Sequence, residues 1–361
     1  MKDLLVLFGI AVLFVGLFFA AIQLRPSVDT TTSSIEVIDT GSDTNDSLLP
    51  FLGSFPQIEG IDDWINSGPL TTEDLKGKVV LVDFWTYSCI NCIRTLPYIT
   101  DWWDKYEDDG LVILGVHAPE FGFEKIYENV VATAKQHGIT YPIAQDNNFT
   151  TWRNFENRFW PAKYLFDQEG NLRYYHYGEG SYDKTEAAIQ ELLAVSKDMT
   201  EITQQDRSQV NSPETYFGYW RSENFKSPEG ITKDTATTFT LPAELDLNEW
   251  ALEGEWSIQY QHAQALQAGA RFQFRYSAGV ANLVMAIDGG KLQDIVVYLD
   301  GKEVDQEMLG AHIVKDELTG STFTQVEFSD LYELISGTPG EHLLEIETLQ
   351  PGLQIYAITF G

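Results

Sequence analysis

The chain has 361 residues, of which 43% are hydrophobic, and it carries a formal net charge of −31 at pH 7. So large a negative charge argues against nucleic acid and anionic lipid surfaces as partners, because both would repel it. The part of the chain after about residue 48 is too long for one ordinary hydrophobic core, and this length predicts two domains.

An uncharged apolar run from Leu4 to Ile22 stands near the start of the chain. At the rise of an α-helix, it is long enough to cross a bilayer core of about 30 Å. Ala20-Ala21-Ile22-Gln23 matches the cleavage site of a secretory signal only weakly, so an uncleaved anchor over residues 1–25 is favoured over a removed signal. Residues 26–47 are rich in Thr, Ser and Asp, which predicts a flexible tether. A first helix with a long soluble tail most often exports that tail, so we expect the domains on the periplasmic or extracytoplasmic side.

The only two cysteines of the chain, Cys89 and Cys92, follow the apolar run Val79–Trp85 and are separated by two residues. This order predicts a strand, a turn and a helix that begins at the cysteines. Unpaired N–H groups at the start of a helix stabilise a thiolate and make it nucleophilic. The second sulfur then lies one turn further on, where it can resolve a mixed disulfide. The pattern predicts a redox dithiol in which Cys89 attacks and Cys92 resolves, without a metal or organic cofactor.

Two structural interpretations of the cysteines compete with the redox interpretation. A zinc site needs two further ligands, and the six histidines of the chain form no closely spaced pair. A purely structural disulfide would close a very short loop, and the stabilisation that a disulfide provides grows with loop length. Both interpretations are therefore weaker than the redox interpretation.

The remaining hydrophobic pattern of the first domain predicts alternating strands and helices. The predicted elements are a helix over 93–106 kinked at Pro97, a strand over 111–116, a helix over about 123–136, a hairpin of 163–167 and 172–177, and a helix over 185–196. With the strand before the cysteines, the order is βαβα followed by ββα. We expect this α/β domain to span residues 48–199.

The segment Val82-Asp83-Phe84-Trp85-x-x-x-Cys89-x-x-Cys92 resembles the thioredoxin fold. Trp85–Cys92, Gly115–Phe121 and Arg158–Tyr164 resemble, more narrowly, the thioredoxin-like domain of DipZ proteins, a domain of the TlpA/DipZ type. The resemblance implies a thiol–disulfide oxidoreductase whose only redox group is the Cys89–Cys92 disulfide. It also implies that Pro161 is a cis-proline that flanks the dithiol and presents its backbone to the substrate. Ile90-Asn91 replaces the Gly-Pro of the family between the cysteines, which leaves the redox potential open.

Asp83 interrupts an otherwise apolar strand six residues before Cys89. A carboxyl group buried there would have a raised pKa. The similar thioredoxin position holds a buried Asp that relays a proton, so the resemblance implies that Asp83 is the general acid and base for Cys92. The alternative is an aspartate on a solvated strand face.

Three further residues are candidates to contact the substrate: Trp85, Trp160 and Glu120. A plain core tryptophan remains open for Trp85, and a surface glutamate remains open for Glu120. His117 and Glu120 follow the carboxyl end of the predicted strand 111–116, and the loops that contact ligands in open α/β sheets lie at this end of the strands. For His117, a hydrogen-bonded loop histidine is the alternative to a role beside the thiols.

The composition of the sequence changes after residue 200, where a polar stretch predicts a linker over 200–214. Beyond it, short strand-like runs alternate with turn signals such as Asp288-Gly289-Gly290 and Pro339-Gly340. The predicted strands are 239–241, 256–260, 271–276, 283–287, 295–299, 324–328, 343–346 and 355–360, which favour an all-β sandwich or jelly roll over 215–361. Pro213–Tyr219, Asn248–Leu252, Leu299–Lys302 and Tyr356–Gly361 resemble the carbohydrate-binding-module-like domain of DipZ proteins.

Together these features predict a membrane-anchored envelope oxidoreductase that reduces the disulfides of envelope proteins. DipZ proteins usually carry a multi-helix electron transporter before these domains, whereas this sequence has one apolar helix there. The resemblance therefore implies a separate membrane electron donor of the CcdA/DsbD type, or small thiols.

Two other functions remain open. The first is a thiol peroxidase, because Thr86-x-x-Cys89 reproduces part of the TxxC arrangement of peroxiredoxins. The second is a non-enzymatic module in which the β-domain binds a protein or a glycan. Tyr216, Tyr219 and Trp220 are candidates to stack on a sugar, or else to pack in the core and against the first domain.

Overall fold

The computed structural model describes residues 49–204 and 207–361. The predicted anchor over residues 1–25 and the predicted tether over 26–47 lie outside the described residues. Within the described ranges, no helix is both long enough and apolar enough to cross a membrane. We refer below to residues 49–204 as the N-terminal half and to residues 207–361 as the C-terminal half.

A seven-stranded mixed sheet forms the centre of the N-terminal half. Its strands are β1 (Gly53–Ser54), β2 (Asp63–Ile65), β3 (Val79–Trp85), β4 (Leu111–His117), β5 (Ile143–Gln145), β6 (Ala162–Phe166) and β7 (Asn171–Tyr177). They lie in the order β1-β7-β6-β3-β4-β5-β2. Strands β3, β4 and β5 run parallel, and β6 runs antiparallel to β3. All seven residues of the central strand β3 are buried, which is why its sequence is apolar except at Asp83.

Four α-helices accompany this sheet: α1 (Ile90–Tyr106), α2 (Tyr127–Gln136), α3 (Thr150–Asn154) and α4 (Tyr182–Leu193). Short 3-10 turns cover Glu107–Asp109 and Gly122–Lys125. Pro97 lies inside α1, as predicted. The elements predicted as βαβα and ββα are all present in that sequence, with β5 and α3 between the two groups. The pattern missed β1, β2, β5 and α3, which have too few residues to show a period.

The C-terminal half is rich in β-structure, which confirms the all-β interpretation. Eleven strands form one hydrogen-bonded network: β8 (Thr215–Tyr216), β9 (Ala236–Phe239), β10 (Trp250–Ile258), β11 (Ala263–Ala265), β12 (Arg271–Ile287), β13 (Gln293–Leu299), β14 (Lys302–Glu303), β15 (Val314–Lys315), β16 (Thr322–Val326), β17 (Asp330–Thr348) and β18 (Leu353–Phe360). A 3-10 turn covers Gln306–Met308. The main path runs β15-β16-β13-β17-β12-β10-β11-β18-β8, and β12 also pairs with β18. Assignment of this region to a jelly roll stays a prediction.

The long strands β12 and β17 correct two of the predictions. The predicted strands 271–276 and 283–287 are parts of one strand, and the predicted turn at Pro339-Gly340 lies inside β17. The register between the two strands shifts between Ala278 and Val280. A Cβ atom on Gly279 would lie 2.7 Å from the carbonyl oxygen of Gly337, so only glycine fits there. Glycine and proline mark bulges as well as turns, and here they mark a bulge.

The two halves share one hydrophobic core. Phe121 and Phe123 of the N-terminal half belong to the same cluster of buried side chains as Leu331 and Tyr356 of the C-terminal half. The ring centroids of Phe123 and Tyr356 are 4.8 Å apart, in an edge-on arrangement. The two halves accordingly lie within one compact unit. The domain boundaries at 48–199, 200–214 and 215–361 stay predictions.

We expect Gly218→Ala to destabilise the protein by about 1–3 kcal/mol or more, the cost of inserting atoms where the surroundings cannot yield. A Cβ atom on Gly218 would overlap the backbone of Gln261 and His262. The measurement is the free energy of unfolding in urea. Gly68→Ala is the matched control, because a Cβ atom there would meet nothing within 4 Å. Equal stability of the two variants would contradict this close backbone approach.

Candidate active site

The two cysteines lie where β3 passes into α1. Cys89 is the N-cap of α1, with an extended backbone (φ −80°, ψ 112°), and its sulfur accepts a hydrogen bond of 3.3 Å from the backbone N–H of Cys92. Both are free thiols in the structure. Cys89 is half-buried, whereas Cys92 is 1% exposed. Of the two sulfurs, Cys89 is therefore the one that a substrate can reach.

Burial governs the ionisation of Cys92. It raises the pKa of this thiol well above the usual value, and the hydrogen bond and the charge of Cys89 act in the same direction. Cys92 therefore holds its proton at neutral pH. A group that removes this proton must lie close by for Cys92 to act as a nucleophile.

Asp83 lies on β3 and is 1% exposed, which excludes the alternative of a solvated strand face. Neither carboxylate oxygen has a hydrogen-bond partner among the described residues. Burial raises the pKa of Asp83 to about 7, and the positive charge of Lys163 opposes this shift. The carboxyl group is therefore near its ionisation midpoint at neutral pH.

Lys163 is a residue of this site that the sequence analysis missed. It stands opposite Asp83 in the pairing of β3 with β6, and its side chain is fully buried. Its Nζ donates a hydrogen bond of 3.3 Å to the carbonyl of Gly178. Burial lowers the pKa of Lys163, while Asp83 and then the two cysteines raise it. A lysine inside the strand Ala162–Phe166 was the available signal, because a charge in a buried strand needs a partner.

A cleft of about 410 Å³ opens at Cys89. Its lining includes Glu120 and Trp160 from the N-terminal half, and Tyr216, Arg221 and Phe360 from the C-terminal half. The Trp160–Pro161 peptide bond is cis, which confirms the geometry that the resemblance implies. The indole N–H of Trp160 donates a hydrogen bond of 3.0 Å to the carbonyl of Ala118. Two of the three predicted substrate contacts, Trp160 and Glu120, thus lie at the cleft.

The third predicted substrate contact, Trp85, does not lie at the cleft. The side chain is fully buried and does not line the cleft, because β3 is covered on both faces. It packs edge-on against His117, with ring centroids 5.1 Å apart. Trp85 is a core tryptophan.

His117 also lies away from the cleft. It is fully buried, and its Nε2 lies 3.4 Å from Oγ1 of Thr86. Burial lowers the pKa of His117 to about 3, so the ring is neutral at physiological pH. The alternative of a hydrogen-bonded histidine agrees with this contact, but His117 is the last residue of β4 and does not lie in a loop.

Glu124 is a second residue that the sequence analysis missed. It is fully buried, and its Oε1 accepts hydrogen bonds from the hydroxyl (2.6 Å) and the N–H (3.4 Å) of Ser88. Its Oε2 accepts from the N–H groups of Glu120 and Phe121. Burial, followed by the charge of Glu120, raises the pKa of Glu124 to about 7. The hydrogen bonds of Glu124 thus connect the turn before Cys89 to the loop after β4.

The C-terminal half also contacts the loop after β4. Oε1 of Glu120 accepts hydrogen bonds from Nη1 of Arg221 (2.8 Å) and from the hydroxyl of Tyr216 (3.0 Å). Gln261 donates to the carbonyl of Glu120 and accepts from the N–H of Gly122. The surroundings of the dithiol are therefore built from both halves.

The three aromatic side chains proposed to stack on a sugar have different positions. Tyr216 packs in the contact between the halves, and the hydroxyl of Tyr219 donates to Asp234. Trp220 is 54% exposed and stacks on Tyr260 with ring centroids 5.2 Å apart. Glycan binding stays a prediction. Across residues 49–204 and 207–361, no group of three or more His, Cys, Asp or Glu side chains is placed to hold a metal ion.

Comparisons with known proteins agree with this geometry. Residues 55–175 match the AhpC/TSA family, and residues 212–361 match the family described as "Thioredoxin like C-terminal domain". Over 140 residues the chain is 34% identical to the thiol-disulfide oxidoreductase YkuV of Bacillus subtilis, covering 38% of this chain and 93% of that relative. The chain belongs to the thioredoxin-like thiol–disulfide oxidoreductases.

This oxidoreductase also resembles Protein DipZ of Mycobacterium tuberculosis, with 35% identity over 324 residues. The match covers 87% of this chain and 44% of the relative, so the chain spans less than half the length of that protein. A solved thioredoxin-like protein in the oxidized form is 34% identical, and the match covers 39% of this chain and 95% of that one with a TM-score of 0.37.

We expect Lys163→Met to raise the pKa of Asp83 above 7, because the positive charge of Lys163 is what opposes the effect of burial. The measurement is a pH titration of the Asp83 carboxyl carbon by NMR in the reduced protein. Lys163→Arg keeps the charge and serves as the control, with a pKa that stays near that of the unmodified protein. An unchanged pKa in Lys163→Met would show that the two side chains do not interact.

Proposed function

We propose that this oxidoreductase reduces the disulfides of envelope proteins through Cys89 and Cys92. The observation that supports this most is the unequal exposure of the two sulfurs. Cys89 lines a cleft, while Cys92 is buried beside it with a raised pKa. Such a pair can attack a substrate with one thiol and complete the reaction with the other.

The proposed reaction has two exchange steps. In the first, the thiolate of Cys89 attacks one sulfur of the substrate disulfide, which forms a mixed disulfide and releases one substrate thiol. In the second, the sulfur of Cys92 attacks the sulfur of Cys89, which forms the Cys89–Cys92 disulfide and releases the second substrate thiol. Two electrons pass from the dithiol to the substrate.

The second step requires that Cys92 lose its proton, and Asp83 is the proposed acceptor. A carboxyl group with a pKa of about 7 is ionised in a large fraction of molecules at neutral pH and still binds a proton readily. The positive charge of Lys163 favours the ionised form. Pro161, Trp160 and Glu120 then shape the groove that the substrate enters.

Each turnover leaves the dithiol oxidised, so the cycle needs an electron donor. We propose a separate membrane protein of the CcdA/DsbD type, and an anchor in residues 1–25 that keeps the enzyme at the extracytoplasmic face of the membrane. The apolar run Leu4–Ile22 supports the anchor. The resemblance to DipZ supports a place in the envelope and a C-terminal jelly-roll module, residues 215–361.

We expect Cys92→Ser to stop the reaction after its first step, because the resolving sulfur is absent. The full-length variant should accumulate a mixed disulfide with a disulfide-bonded test peptide, detected as added mass that dithiothreitol removes. Cys89→Ser should form no adduct, since Cys92 is buried. An adduct on Cys92, or rapid consumption of peroxide without reaction with the peptide, would contradict the proposal and favour the peroxidase.

We expect the second step to slow as pH falls below about 7, by about tenfold per pH unit, because protonated Asp83 accepts no proton. Asp83→Asn should be slower by roughly 100-fold or more at pH 8 and should lose this dependence, as expected for removal of a general base. The measurement is the decay of the mixed disulfide in single-turnover reactions. Asp104→Asn, an exposed position on α1, is the control. If the pH profile of Asp83→Asn is identical to that of the unmodified protein, a group other than Asp83 accepts the proton of Cys92.

A further inference from the structure

The cleft at the dithiol has one wall from each half. Phe159 and Trp160 belong to the first wall, which leads to the cis peptide bond, and Pro213 and Tyr216 belong to the second. Both walls lie beside Cys89, so a substrate disulfide reaches the sulfur of Cys89 through the space between them. The volume of about 410 Å³ lies in the range of sites that bind small molecules or a short extended segment.

The charge of this cleft differs from that of the molecule. The protein carries a net charge of −31, yet the lining holds three arginines against two glutamates. Arg221 pairs with Glu120 at 2.8 Å, and Arg207 pairs with Glu179. The third arginine, Arg158, is exposed and has no ion pair or side-chain hydrogen bond within residues 49–204 and 207–361. Arg158 is therefore the cation of this lining that is available to a ligand.

A guanidinium at this place suits a carboxylate. Its planar set of donors matches the two oxygens of a carboxylate, and the resulting charge-assisted pair is stronger than a neutral hydrogen bond. The negative charge of the rest of the protein repels such a ligand, but at physiological salt this repulsion is screened beyond about 8 Å. At contact, the nearest unpaired charge decides. On the first wall Glu120 is paired with Arg221, whereas Arg158 has no ion pair within the described residues.

The opposite wall limits where a carboxylate can be placed. Glu214 belongs to the lining, and burial, followed by the charge of Glu120, raises its pKa to about 7, so at neutral pH it carries the same charge as the proposed ligand group in part of the molecules. An acidic side chain is therefore favoured on the side of Arg158 and disfavoured on the side of Glu214. Phe159, which is 48% exposed beside Arg158, offers apolar contact to the neighbouring part of the segment.

We propose that Arg158 makes this enzyme prefer disulfides flanked by a carboxylate side chain on an extended peptide segment. This inference rests on the proposed reduction of disulfides and adds the class of substrate. Arg158 is in this role a substrate-binding residue that selects among disulfides, and Cys89 and Cys92 carry out the exchange.

The test uses two peptides that each contain one intramolecular disulfide and differ only by Asp or Asn beside a cysteine. The reduced full-length chain reacts with each in a single turnover, and the second-order rate constant is followed by acid quench and mass spectrometry. Each rate constant is divided by that of the same peptide with dithiothreitol, which removes the effect of Asp on the reactivity of the disulfide itself. We expect the Asp peptide to react roughly tenfold faster, the effect of one hydrogen-bonded charge.

Arg158→Gln should bring the two peptides to equal rates without slowing the Asn peptide, and Arg158→Lys should keep part of the preference. Lys78→Gln is the matched control, since it removes one positive charge from an exposed position outside the cleft lining and should leave the preference unchanged. Glutathione disulfide, which carries carboxylates without an extended chain, is a second arm. A rate that falls in Arg158→Gln for glutathione disulfide as well as for the Asp peptide indicates recognition of the carboxylate alone, whereas a fall for the peptide only indicates recognition within a segment.

Three outcomes would overturn the inference. The first is equal rates for the two peptides in the unmodified enzyme, and the second is a preference that survives in Arg158→Gln. The third is a loss of preference in Lys78→Gln as large as that in Arg158→Gln, which would show that the overall charge of the protein causes the preference. In all three cases reduction of the Asn peptide still supports the proposed function. If neither peptide is reduced, the proposed function fails and the inference fails with it.

Discussion

The packing of the loop after β4 against the C-terminal half is the constraint on which the rest of the site depends. The ion pair between Glu120 and Arg221 is its most visible contact, but ion pairs that keep some access to water contribute only about 0–1 kcal/mol. The aromatic contacts matter more, because each buried ring removes about 150–250 Å² from water. Phe121 and Phe123 both pack against Tyr356, with ring centroids 5.1 and 4.8 Å apart. The apolar contact holds the halves together, and the polar contacts fix the orientation of the loop. The same loop is connected to the turn before Cys89, because the carboxylate of Glu124 accepts hydrogen bonds from the N–H of Phe121 and from the hydroxyl of Ser88.

The buried charges beside Cys92 reduce stability and support the chemistry. A carboxylate removed from water without hydrogen bonds is costly, and Asp83 has no partner for either oxygen within the part of the chain that the structure describes. A fold selected for stability alone would place an apolar residue there. Lys163 offsets part of the cost, and this is why the pKa of Asp83 is raised to about 7 rather than further. The pair thus keeps a carboxyl group that is partly ionised at neutral pH near a thiol that burial holds in its protonated form.

The sequence predicts the parts of this site that lie close together along the chain. Cys89, Cys92 and the strand before them form one local pattern, and Asp83 is visible as a charge in an apolar strand. Lys163 and Glu124 were missed because their partners, Asp83 and Ser88, are distant in sequence and meet only through the order of strands and the fold of the loop. The second wall of the cleft was missed for the same reason. In the C-terminal half, the turn predicted at Pro339-Gly340 failed because the residues that end a strand also form the bulge that bends one.

The C-terminal half supplies part of the lining of the cleft at Cys89. YkuV, a relative named as a thiol-disulfide oxidoreductase, is matched over 93% of its length by 38% of this chain. In this protein Tyr216 and Arg221 stand beside the reactive thiol. Side chains at this place narrow the approach to Cys89 and contribute to the charge around it. The C-terminal half is packed into the same compact unit as the dithiol, because its side chains belong to the hydrophobic core that also holds Phe121 and Phe123.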